Sequence, residues 1–174
     1  MRPTALKHAM YFGLMLGLLF CINFFLSTRS SAFCSVASWA IMVLVPYIAY
    51  RLTLDCRERV CDGRMSYGEA FLYGMQLFFY AALVGAAFRL LYFKYFDPDF
   101  LPRMIDESLR VMEQLGMPLG EVEVGNLQQM MSPVNMSLNY IWLDVLAGTL
   151  VSLVVAAFAR KKGAADSDLK IQKQ

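Results

Sequence analysis

Charge is scarce in this chain, and so are the residues that most often carry chemistry. Of 174 residues, sixteen are Lys or Arg and fourteen are Asp or Glu, and the stretches 9–28, 30–50 and 70–88 hold none of them. His8 is the only histidine. The four cysteines are scattered: Cys21 and Cys34 fall in apolar runs, while Cys56 and Cys61 are separated by four residues, which is not a zinc-knuckle spacing. A zinc site is therefore not expected, and reduced thiols are. There is no hydrolase elbow, phosphate-binding Gly-rich loop, His-Glu-x-x-His or dinucleotide fingerprint, and no nucleophile and base stand out as a pair. No enzyme activity, cofactor or metal is expected. Nor is nucleic acid, since no recognition motif or basic-aromatic stripe is present.

What the chain has instead is apolar length. A fourth run, 138–159, is interrupted only by Asp144, and mean hydropathy over the chain is +0.47. A bilayer core about 30 Å thick is crossed by about 20 helical residues, so each run is long enough to span. The remaining polar chain is too short to cover four such helices in water. The expected fold is all-α: a polytopic membrane protein with four transmembrane helices at about 8–28, 33–54, 68–93 and 136–160. An amphipathic helix is expected in an outer loop at 95–135. Residues 1–162 then make one domain and 163–174 a disordered tail. Arg2 and Lys7 ahead of the first run also fit a signal peptide. That run is longer than a typical signal core, and Phe20 before Cys21 does not suit lipoprotein processing, so it is read as a retained span.

Basic residues set the orientation. With the N-terminus in the cytoplasm, the inner segments carry Arg2, Lys7, Arg51, Arg57, Arg59, Arg64, Arg160, Lys161, Lys162, Lys170 and Lys173, eleven of the sixteen. Both termini are then cytoplasmic. The basic inner face is expected to attract anionic lipid head groups, each well-placed charge adding about 1 kcal/mol. The outer loop is acidic by contrast, with Asp97, Asp99, Asp106, Glu107, Glu113, Glu121 and Glu123.

Local signals fill in the helices. Gly13-x-x-x-Gly17 is a small-residue packing stripe, predicting a helix contact within the chain or between copies. Pro46 predicts a kink in the second span, read as a packing feature ahead of a transport hinge. Asp62-Gly63 marks a turn, and Ser66 with Glu69 forms a capping box at the start of the third span. That cap explains Glu69 better than catalysis does. Asp97-Pro98 reads as a helix N-cap, with the amphipathic helix itself at 102–115. Its apolar side is Leu101, Met104, Ile105, Met112 and Leu115, and Gly116-Met117-Pro118 ends it. A weaker pattern through Leu127, Met130 and Met131 precedes Pro133, which can open the fourth span. Asn23, Gln76, Asn139 and Tyr80 are read as interhelical hydrogen-bonding groups.

Apart from cysteines, tyrosines and residues at the inner margins, only Arg89 and Asp144 are ionisable within spans, both near the outer ends. Stepping inward by four residues gives Gly85 and Ala81 below Arg89, and Gly148, Ser152 and Ala156 below Asp144. Antiparallel packing of these small faces sets the two charges side by side. A bidentate salt bridge is the expectation. A structural role for it is preferred over an ion or solute path, because coupled carriers place their sites near the midplane.

Three stretches resemble a known family: KHAMYFGLMLG from Lys7 to Gly17, the segment Asp62-Gly63-x-Met65-Ser66-Tyr67-Gly68-Glu69-Ala70-Phe71, and Tyr95-Phe96-Asp97-Pro98-Asp99-Phe100. They are similar to small four-span membrane proteins, chiefly of Bacteroides-like bacteria, catalogued as a domain of unknown function. That family typically has paired glycines where this chain has Asp62-Gly63. The resemblance implies a bacterial inner-membrane location and a helical fold. It supplies no activity and no functional residues. The functional expectation is a structural or interaction component of the cell envelope, associating with itself or with a membrane-protein partner. The alternative is an oligomeric small-solute or ion transporter using Arg89 and Asp144.

Overall fold

The computed structural model describes residues 3–29, 31–116 and 120–160. Arg2, Ser30, Met117, Pro118 and everything from Lys161 onward, including the tail expected to be disordered, lie outside the described residues. The fold is all-α, with no strand among the described residues. Its helices are α1 (Pro3–Ser27), α2 (Ala32–Arg59), α3 (Tyr67–Leu91), α4 (Phe100–Gln114), α5 (Glu121–Met130) and α6 (Pro133–Ala159). Helices α1, α2, α3 and α6 are each long and apolar enough to cross a membrane. The short links between α1, α2 and α3 make each helix antiparallel to the next.

Helix ends follow the local chemistry. Ser66 Oγ accepts from the Glu69 N–H at 3.3 Å while Glu69 Oε2 accepts from the Ser66 N–H at 2.9 Å, so the capping box is closed on both sides. Ser132 caps α6, and Pro133 occupies its first turn, where a missing N–H costs nothing. Asp62 and Gly63 turn the chain between α2 and α3 at φ 54° and 75°, left-handed values that suit Gly and tolerate Asp.

Three differences from the sequence reading concern helix ends. Helix α2 runs on to Arg59, so Asp55, Arg57 and Glu58 lie in its last turns rather than in a loop. After α3 the chain continues through a π-helical turn, Tyr92–Phe96, closed by the Asp97 N–H to the Tyr92 carbonyl at 3.0 Å. Helix α4 then starts at Phe100 with Asp99, not Asp97, at its N-cap. Pro102 falls within its first turn, where proline is tolerated, so the helix opens two residues ahead of the expected 102. The amphipathic face is real at Leu101 and Ile105, which are buried, but Met112 and Leu115 are exposed.

Helix α3 is the hub. It packs along α1 on one side and α6 on the other, and 44 % of its most apolar window is buried, against 11 % for α2. The core has three levels. At the end where α1 begins and α6 finishes, Ala5, Ala9, Cys56, Met65, Tyr73 and Ala156 pack together. Leu16, Val45, Ala49, Leu77, Phe78 and Ala81 fill the middle. At the opposite end, Tyr92, Phe93 and Leu101 form an aromatic lid with Phe24 and Tyr140.

Candidate functional site

The small residues decide how close the helices come. A Cβ on Gly13 would stand 2.8 Å from the Leu77 carbonyl oxygen, and one on Gly17 2.6 Å from Val84 Cβ. The Gly13-x-x-x-Gly17 stripe therefore seats α1 on α3 within one chain. On the other side of α3, Gly148 admits Phe78, and Gly74 admits Ser152, whose Oγ would lie 2.5 Å from an added Cβ. Ser152 Oγ itself donates to the Gly148 carbonyl. Gly85 departs from the expected face: its nearest neighbours are Phe20 of α1 and the Arg89 guanidinium, both at 3.6 Å, not α6. Gly74, seven residues (about two helical turns) before Ala81, was the missed small residue.

This packing brings Arg89 and Asp144 together. Arg89 Nη1 donates to Asp144 Oδ2 at 2.7 Å across the α3–α6 seam. The bond is single rather than bidentate. Arg89 Nε is buried with no acceptor, because Tyr140 and Phe24 hold the guanidinium by its faces, at 4.4 and 5.6 Å from the ring centroids. The residue is only 7 % exposed. The pair lines a cavity of about 240 Å³ between all four long helices, walled by Phe20, Val45, Pro46, Phe78 and Val151, with Asn23 at its polar end. Asn23 Oδ1 accepts from Ser38 Oγ at 2.6 Å, tying α1 to α2. Gln76 Oε1 is buried with no partner, so it does not make the interhelical bond expected of it, and Asn139 is exposed.

A second polar cluster, at the end where α1 begins and α6 finishes, was not anticipated. His8 Nδ1 lies 2.8 Å from the Tyr73 hydroxyl, and Nε2 lies 3.2 Å from Asp55 Oδ2. Asp55 Oδ1 in turn receives Arg59 Nε at 2.6 Å. A carboxylate only accepts, so Nε2 carries the proton toward Asp55 and, in neutral His8, Nδ1 accepts from Tyr73. One imidazole thus joins α1, α2 and α3. Tyr73 is fully buried, so its hydroxyl is shut off from any substrate. The one signal for this cluster was the single histidine at the start of an apolar run. Nearby, Arg57 donates to the terminal Ala159 carbonyl of α6 at 2.9 Å. It is thereby turned inward and away from the lipid-facing role assigned to the basic residues.

Among the described residues, no group of three or more His, Cys, Asp or Glu side chains could hold a metal ion. The four cysteines are free thiols. Neither a curated protein nor a solved structure matches the chain. One family does, described as a protein of unknown function (DUF4199), and it matches residues 7–161, across all four long helices. The chain belongs to the DUF4199 family, a domain of unknown function built here as four membrane-length helices.

Proposed function

We propose that this protein is a structural or interaction component of the bacterial cell envelope, set in the inner membrane with both termini in the cytoplasm, and that it performs no catalysis. The observation that carries the reading is the division of labour among the long helices. Helices α1, α3 and α6 form the packed unit, while α2 contributes little to it and presents Phe33, Val36, Trp39 and Val43 outward. In lipid there is no hydrophobic drive between helices, so such a surface associates through shape and van der Waals packing rather than by expelling water. The orientation rests on the distribution of Lys and Arg.

The transporter reading is less well supported. Its two polar clusters, Arg89–Asp144 and His8–Asp55–Tyr73, sit at opposite ends of the bundle. Leu16, Leu77, Phe78 and Ala81 fill the space between them. A coupled carrier needs its site near the middle, where this chain has an apolar layer.

Cross-linking of the full chain in native membranes, read by mass, tests the proposal. A single homo-oligomer or one reproducible membrane partner, with cross-links on α2, is the expected result. A monomer that supports solute flux abolished by Asp144→Asn would overturn it.

A further inference from the structure

The cavity beside Arg89 has an unusual balance of polar groups. Its only charges are one guanidinium and one carboxylate, already joined at 2.7 Å, so the pair is neutral as a unit. Yet the guanidinium donates to protein through Nη1 alone, which leaves its Nη2 N–H groups unused, while its Nε is shut in between the Phe24 and Tyr140 rings. Asn23 accepts through Oδ1, which leaves its amide N–H groups as donors with no protein acceptor among the described residues. The polar end of the cavity therefore offers unused donors on the guanidinium and on Asn23, beside an Asp144 carboxylate that only accepts. An ion entering there would bring an uncompensated charge into low dielectric, which is costly; a neutral acceptor would not.

The rest of the cavity selects for shape and apolarity. Phe20, Val45, Phe78 and Val151 line it, and its volume of about 240 Å³ suits a compact body of one or two rings. Helix α2 forms the wall that is least tied to the others, and Met42 on that wall is 61 % exposed. Pro46, one turn on, has no N–H for the Met42 carbonyl, so this stretch of wall lacks a helix bond. Entry from the lipid past Met42 needs no passage through water.

We propose that this cavity is a binding site for a small neutral lipophile bearing a carbonyl oxygen, such as a ketone, ester or quinone ring. The oxygen accepts from Arg89 Nη2 and Asn23 Nδ2, and the apolar body lies against Phe78 and Val151. The inference is independent of whether the chain associates with itself.

Benzophenone is a probe of this class that also records its position, because its photoexcited carbonyl abstracts a nearby C–H hydrogen and the two carbon radicals then join. The full chain in phosphatidylcholine nanodiscs would be irradiated with it and the adducts mapped by mass spectrometry. Adducts are expected at Met42, Val45 and Val151. Phenyl benzoate should suppress them and diphenylmethane, which has no acceptor, should not. Ala147→Phe, which fills the cavity edge from α6, should lower the yield by about tenfold, equivalent to about 1.4 kcal/mol of binding. Adducts spread evenly over outward residues such as Trp39 and Val43 would overturn the site. Stronger labelling by the anion 4-benzoylbenzoate, or equal competition by diphenylmethane, would overturn the neutral-acceptor chemistry. The wild-type competition pattern decides the matter even if Ala147→Phe fails to fold.

Discussion

Arg89 and Asp144 meet through one hydrogen bond, and the face of the same guanidinium covers Tyr140, which precedes Asp144 by one helical turn on α6. The arginine is thus held twice by the same helix, once by charge and once by its π surface. Sliding α6 along α3 by a turn would break both contacts together, so the pair fixes the register of the most extensive helix interface in the molecule.

Breaking the pair should therefore cost far more than deleting it. Removing one partner of a buried ion pair costs about 3–5 kcal/mol, whereas replacing both with apolar groups is often neutral. Asp144 keeps 20 % of its side chain exposed, which places Asp144→Ala toward the lower end of that range. The combined Arg89→Leu, Asp144→Leu variant should recover most of the loss. Thermal unfolding in detergent, compared across the two single variants and the double, checks this. Asp144→Asn with unchanged folding and abundance would remove the structural role.

Glycine substitutions should split into two groups by location. At Gly17 and Gly148 an added methyl meets Val84 or Phe78 in a closed seam, so Ala at either position should destabilise by about 1–3 kcal/mol. Gly125 in α5 has nothing within 4 Å of an added Cβ, and Gly125→Ala should stabilise that helix by about 1 kcal/mol. Helical circular dichroism followed through thermal unfolding would read both signs. Equal effects at all three positions would mean that the α1–α3 and α3–α6 seams are looser than described.

Much of this fold was legible because lipid imposes a length. Four apolar runs of about 20 residues leave too little polar chain to cover them in water, and the Ser66 cap and the Pro133 start of α6 are written in adjacent residues. The juxtaposition of Arg89 and Asp144 was also readable, since each lies near the outer end of its span. Which neighbour each small residue meets was not. Gly85 shares a face with Arg89, but only tertiary packing decides whether that face meets α1 or α6, and it meets Phe20. The single bond from Arg89, in place of a fork, follows from rings of α1 and α6 that no spacing brings together. His8, Asp55 and Tyr73 were missed because two of them lie at the polar margins of apolar runs, where a boundary error of a few residues moves a side chain from loop to helix. Helix α2 runs past Asp55, and only that continuation points its carboxylate at His8.

The Ser66–Glu69 cap should be purely local in effect. Ser66→Ala removes the acceptor for the Glu69 N–H and should cost about 0.5–2 kcal/mol. Gly or Asn at position 66 should restore most of that. Because the cap is exposed and at the helix start, the loss should appear as faster hydrogen exchange over 66–70 with little change near Arg89. Loss of a partner or of flux by Ser66→Gly, with folding intact, would instead give the hydroxyl a functional role.

The His8 cluster makes the most exacting prediction, because it links helix α2 to a bundle that otherwise holds it weakly. His8 lies at hydrogen-bonding distance from Tyr73 of α3 and Asp55 of α2, so its removal should do two separable things. The Tyr73 hydroxyl, fully buried, loses its partner. A cycle of His8→Ala, Tyr73→Phe and the double variant should give a coupling of about 0.6–1.7 kcal/mol, from the average to the largest value typical of interhelical bonds in lipid. The Asp55 side of the network should show up as motion instead of stability. With His8 gone, the last turns of α2 are tied to another helix by the Arg57 bond to Ala159 and by the packing of Cys56, while the Asp55–Arg59 and Arg57–Glu58 pairs lie within α2 itself. Trypsin cleavage after Arg59 and Arg64 should then accelerate in His8→Ala, and accelerate less in Tyr73→Phe, which leaves His8 and Asp55 joined. Equal acceleration in both would mean that α2 is held by general packing at this end, with the imidazole incidental to it.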